Sequence, residues 1–201
     1  MKSILAVLAF LCIALFSCKK EDKKIVDKND TMTGTWDFSS VSTSTYTSKE
    51  FKLGGFKQKS ETTLNYVTEN NTGRLVITDS TITTTGLAYT IYSQIKTYNY
   101  KDDVLTDSSQ KPYNLSFYEP QSFCSYKAIG SDSISFITGG LSAFSDSIFR
   151  AKASGAKIKL NGDTLMLKQY IHKDSTEVRL GVVYHIVQTG TANMTLLRHK
   201  D

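Results

Sequence analysis

The 201-residue chain holds two prolines, three cysteines, three histidines and a single tryptophan. Each scarcity removes a class of function. Cys12 falls in an apolar leader and Cys18 directly after it, so Cys124 stands alone in the rest and no disulfide framework forms. His172, His185 and His199 lack the paired spacing of a zinc or iron site, so no metal and no cofactor are expected. There is no Gly-x-Ser-x-Gly elbow and no phosphate-binding glycine loop. The glutamates of the main domain (Glu50, Glu61, Glu69, Glu119, Glu177) sit in turn-like or mixed segments and read as solvated. No catalytic residue is assigned, and the chain is expected not to be an enzyme. Dense Lys/Arg runs are also absent. Of the net charge of +5, Lys2 and the segment 19–30 account for part, leaving about +3 for the remainder, and nucleic acid is excluded as a partner.

What is present begins with Met1-Lys2-Ser3, an apolar run Ile4–Phe16, and Ser17-Cys18. A basic start, a short apolar segment and a small residue form a secretory signal peptide over 1–17. The run extends about 20 Å as a helix, short of the ~30 Å hydrocarbon core. Leu15-Phe16-Ser17-Cys18 resembles the bacterial lipobox, which implies that Cys18 becomes the lipidated first residue of the mature chain. Two or more acyl chains hold a protein on a membrane stably. Residues 19–30, KKEDKKIVDKND, are charged and poor in apolar side chains, so 18–30 reads as a disordered tether. Lys20-Glu21-Asp22 resembles the lysine-plus-two-acids signal for the outer face of the outer membrane, which favours surface display over the periplasmic face.

Residues 31–201 fit one domain. Short alternations rich in Thr, Ser, Tyr, Ile and Val are bounded by Gly, Asn and Asp clusters, and a long helical period is missing. That is the pattern of antiparallel strands. Strands are expected over 35–43, 62–68, 74–78, 81–85, 88–100, 113–118, 123–129, 133–138, 156–160, 164–172, 177–188 and 192–198. Asn161-Gly162-Asp163 is a strong hairpin turn, and Thr189-Gly190 a weaker one. Asp79, Asp132 and Asp163, each followed by Ser or Thr, repeat the chemistry of a turn opening a strand. Gly139–Ser145 reads as loop or short helix. Cys124, in a strand-like run, reads as a small buried residue. The fold class is all-β.

Thr33-Gly34-Thr35-Trp36 opens the first strand. Gly-x-Trp at that place resembles the lipocalin family, particularly the lipocalin-like domains of bacterial surface lipoproteins. The resemblance implies an antiparallel up-and-down β-barrel closed at one end by Gly34, Trp36 and Arg198. Strand parity places Ala192, Met194, Leu196 and Arg198 on one face, and a cation over an indole contributes about 0.5–2 kcal/mol. Such a barrel either fills with side chains or holds one small ligand. Tyr89, Ile91, Leu180, Val182 and Tyr184 are the expected lining for a small apolar or amphipathic molecule. The alternative is a filled barrel that binds a glycan or an envelope protein through exposed Tyr92, Tyr98 and Tyr100.

Overall fold

The computed structural model describes residues 31–138 and 154–200. The signal peptide, Cys18, the tether and Gly139–Ser145 lie outside them. In chain order the strands are β1 Gly34–Leu53, β2 Phe56–Val67, β3 Glu69–Ile77, β4 Thr81–Lys101 and β5 Val104–Ile129, then β6 Ser133–Thr138, β7 Gly155–Asn161, β8 Thr164–Arg179 and β9 Val182–Arg198. No helix occurs among the described residues.

Every ladder is antiparallel, and the first and last strands pair over most of their length, so one sheet closes into an up-and-down ring. β2 and β3 share one position. β2 lies between the far half of β1 and the far half of β4, and β3 between the near halves. The alternation that makes these segments strands also sorts their faces. On β8, Leu165, Leu167, Gln169 and Ile171 are buried while Met166, Tyr170 and His172 are exposed. On β4, Ile82 and Thr84 point inward, then Leu87, Tyr89 and Ile91. The phase slips at Gly86, whose φ is +61°. Gly73 backs against this corner, where a Cβ would lie 2.7 Å from the Leu87 Cα, so only glycine fits.

The ring is solid at one end. Trp36, Val41, Leu75, Ile77, Ile82, Leu165, Leu167, Met194 and Leu196 are fully buried there. Each such aliphatic side chain contributes about 1.5–3 kcal/mol by leaving water. The start of β1 at Gly34 and the end of β9 at Arg198 sit at this floor, together with the turns after β3, β5 and β7. At the opposite end, the mouth, three two-residue hairpins join β1–β2, β4–β5 and β8–β9. All six of their central residues have positive φ: Gly54 and Gly55, Asp102 and Asp103, Leu180 and Gly181. This is the twist-matched hairpin geometry.

The outer faces of β1 and β9 are largely polar, whereas Val76 on β3, Tyr118 and Phe123 on β5 and Val183 on β9 are exposed apolar side chains. β1 turns Ser42, Ser44, Tyr46 and Ser48 outward, and β9 turns His185, Thr189, Thr191 and Asn193 outward.

Among the described residues, β5 from Val104 to Cys124 pairs with β4 alone. The chain's two prolines, Pro112 and Pro120, both lie in that stretch. Proline removes a backbone donor and blunts a strand edge.

Three expectations need correction. The continuous strand over 177–188 is broken by the Leu180-Gly181 turn. Leu180 is therefore fully exposed at the mouth and lines nothing. Thr189-Gly190 is not a turn but mid-β9, paired with β1 on one side and β8 on the other. The twelve short segments merge into nine longer strands because the polar stretches between them continue the ladders.

Candidate functional site

The floor is assembled by direct cross-strand pairing of Trp36 with Arg198. Trp36 is 0% exposed, and its indole N–H donates to the Met32 carbonyl at 2.9 Å. The Arg198 guanidinium carbon lies 4.4 Å from the indole centroid. Its Nη2 donates to the Thr31 carbonyl at 3.1 Å, which ties down the chain entering β1. Gly34, at φ +132°, leaves room for this arginine, since a Cβ there would meet Nη1 at 3.4 Å. Beside them the His199 ring N–H donates to Asp37 at 2.8 Å, and Arg74 approaches the same carboxylate. The hydrogen bond from His199 holds the Asp37 carboxyl below its ordinary range against the opposing effect of burial, with a lesser contribution from Arg74.

Above the floor the inner face of β1, β9 and β8 climbs in register, one cross-strand layer at a time. Val41, Met194 and Leu167 form the last wholly apolar layer. Next come Thr43, Ala192 and Gln169, and then Thr45, Gly190 and Ile171. Thr47, Gln188 and Lys173 follow, and the mouth is formed by Phe51, Tyr184 and Glu177. The interior thus passes from oil to water across one wall. At mid-height the side chains are small, since Ala192 and Gly190 occupy the centre of that wall.

One atom in this step is anomalous. Gln169 is 5% exposed, and its Oε1 has no hydrogen-bond partner. An unsatisfied buried acceptor costs about 1–3 kcal/mol unless a donor reaches it. At the mouth, the Tyr184 ring packs against Phe51 at 4.8 Å, with the Lys49 ammonium 4.2 Å from its centroid. Lys173 and Glu177 lie 3.9 Å apart.

The five expected lining residues are dispersed over this geometry. Tyr89 stacks on Phe117 at 4.8 Å and tilts against Phe38 at 6.0 Å. With the fully buried Ile91 it belongs to the packed core. Tyr184 and Val182 are half-buried at the mouth, and Leu180 is outside. Sequence reasoning passed over Gln169, Thr43, Thr45 and Gln188. A usable signal was present, since Gln169 shares parity with Leu165, Leu167 and Ile171 and must face inward with them.

Elsewhere, Cys124 is buried opposite Ile82, and burial pushes its thiol pKa up, the reverse of an activated nucleophile. His185 bonds Asp174 at 2.8 Å on the outer surface. No cluster of three metal-ligating side chains occurs among the described residues. On the outer face Glu61 accepts from the Tyr46 hydroxyl at 2.9 Å and the Tyr100 hydroxyl at 3.2 Å, and is paired with Lys59.

No protein-family model matches the chain. No curated protein matches it either. Among solved structures, the crystal structure of Ail, the attachment invasion locus protein of Yersinia pestis, aligns over 82% of this chain and 99% of that one. The identity is 9% and the TM-score 0.20, a likeness too slight to carry fold or function across.

Proposed function

We propose that the chain is a lipid-anchored protein of the bacterial cell envelope, held through Cys18 on the outer membrane and displayed at the cell surface. Its ring is a lipocalin-like barrel that binds one small amphipathic molecule and performs no chemistry on it. The carrying observation is Gln169. A buried acceptor without a partner sits where the inner wall changes from apolar to polar and the side chains are smallest. A ligand whose apolar part rests on the Val41–Met194–Leu167 layer brings a hydroxyl or N–H donor to Gln169 Oε1. The mouth residues Lys49, Tyr184 and Lys173 then meet its outward end. The largely polar outer faces of β1 and β9 are compatible with a tethered domain.

Native mass spectrometry of the full chain, released from detergent after incubation with a lipid and metabolite extract of its host, tests the carrier. The expected result is a reproducible bound mass, weakened by Gln169→Leu and abolished by Ala192→Trp, which fills the wall at that height. An apo mass in every extract overturns it. The solid packing of Tyr89 and Ile91 would then favour the second reading, a filled barrel that binds a glycan or protein partner. The anchor is tested separately. Cys18→Ala is expected to leave the membrane fraction, and retention there overturns the lipidation site.

A further inference from the structure

The outer wall carries a concavity of about 590 Å³ where β9, β1, β2 and β4 lie side by side. It is built by the break between β2 and β3. Thr68 fills that break by exchanging bonds with Val41, its N–H donating to the Val41 carbonyl at 2.9 Å and its Oγ1 accepting from the Val41 N–H at 2.8 Å. Asn70, just beyond, has φ +52°. The outer surface therefore dips where a continuous strand would keep it convex.

What lines the dip is chemically specific. Ser44, Thr191 and the amides of Asn65 and Asn193 offer hydroxyl and planar amide groups, Glu69 offers a carboxylate, and Tyr92 stands at the side, 60% exposed. Among these, only Asn193 has a side-chain bond within the described residues, a long one of 3.5 Å to Ser42. The side chains of Ser44, Asn65, Tyr92 and Thr191 are left for a ligand. Lys and Arg are absent from the lining, and the carboxylate of Glu69 repels anions. A flat, exposed ring beside hydroxyls, amides and a carboxylate matches the alternating C–H face and hydroxyl rim of a pyranose. Val67, 58% exposed, adds an apolar edge beside Tyr92, and a phosphate or sulfate finds no cation here.

We propose that this outer concavity is a binding site for neutral saccharide chains. The sugar face stacks on Tyr92, and its hydroxyls bond Asn65, Ser44, Thr191 and Glu69. The site is separate from the ring interior and stands whether or not the barrel carries a ligand.

Saturation-transfer difference NMR on the full chain in detergent, with cellotriose, maltotriose and triacetylchitotriose as probes, tests it. The expected result is transfer to at least one trisaccharide. Tyr92→Ala is expected to weaken that binding about three- to tenfold, the scale of one ring contact. Ser44→Trp, which fills the dip from another strand, is expected to abolish it. Tyr170→Ala, an exposed ring on the outer face of β8, is expected to leave it unchanged. Tyr92 is a surface residue, so its truncation does not threaten the fold. No transfer from any of the three sugars, or transfer undiminished in Tyr92→Ala and Ser44→Trp, overturns the proposal.

Discussion

Replacing Arg198 by methionine isolates what the guanidinium does at the floor. Methionine keeps an unbranched stem over the indole and removes the charge and the donors. Two losses dominate, beside a weak 4.0 Å approach of Nε to the Asp163 carboxylate. The cation 4.4 Å from the Trp36 centroid is withdrawn, a loss of about 0.5–2 kcal/mol. The bond from Nη2 to the Thr31 carbonyl is also lost, about 1 kcal/mol at a partly solvated site. Together they predict a destabilisation of about 1–3 kcal/mol. For a chain of this size that lowers Tm by about 2–12 °C. Urea is the denaturant of choice, because guanidinium chloride would screen the charge under test. Wild type, Arg198→Met, Trp36→Leu and the double variant, followed by circular dichroism, form a cycle that removes the Thr31 contribution. A coupling of about 0.5–2 kcal/mol is expected. If Arg198→Met costs the same with and without the indole, the guanidinium does not act through Trp36 and this account of the floor is wrong.

Gly190→Ala places a Cβ 2.5 Å from the Ser44 carbonyl oxygen in the β1–β9 ladder, so a loss of about 1–3 kcal/mol is expected in urea melts; an unchanged or raised midpoint would mean that Gly190 is a turn after all. Leu180→Asn relieves a leucine held at φ +50°, and a gain of about 0.5–1 kcal/mol is expected by differential scanning calorimetry; a lower Tm contradicts the turn assignment. The carboxyl of Glu61 is held below its ordinary range, chiefly by Lys59 and then by the Tyr46 and Tyr100 hydroxyls, against an opposing effect of burial. A depressed folded pKa stabilises fully above the unfolded carboxylate value of about 4.3 and is lost as pH falls through the folded value. Wild type should therefore exceed Glu61→Gln in Tm at pH 7, and the gap should close in the acid range below about pH 4. A gap that does not change with pH would refute the charged network.

The floor half of the ring was legible because its alternation is steep. Leu165-Leu167 and Met194-Leu196 against Met166-Lys168 and Thr195 leave one choice of face. The mouth half was not. Ser48–Lys59, Lys101–Gln110 and Lys173–Arg179 carry only scattered apolar residues (Phe51, Leu53, Phe56, Val104, Leu105, Val178) among polar ones, and so few positions give no clear period. Turn chemistry divided in the same way. Asn161-Gly162 declared its hairpin. Leu180-Gly181 did not, since leucine is a poor advertisement for positive φ, and the signal of Asp102-Asp103, residues that tolerate it, was passed over. Thr189-Gly190 gave a false signal for the opposite reason. Its glycine answers a close backbone approach from β1 rather than a reversal. Gln169 was hidden by reading polar residues as exposed, although its parity placed it inside.

Entry and exit at the floor fix a direction. The described chain begins beside Trp36 and ends beside Arg198, so whatever holds residue 31 holds the closed end. If Cys18 carries the proposed acyl anchor, the closed end lies within about 40 Å of the lipid, the reach of the twelve residues between them. The three two-residue hairpins then form the distal crown. A strand of β1's length, tilted as in closed sheets, stands roughly 50 Å tall. On the proposed anchor, the three hairpins of the mouth would stand farthest from the bilayer, and a molecule entering there would not have to pass the membrane.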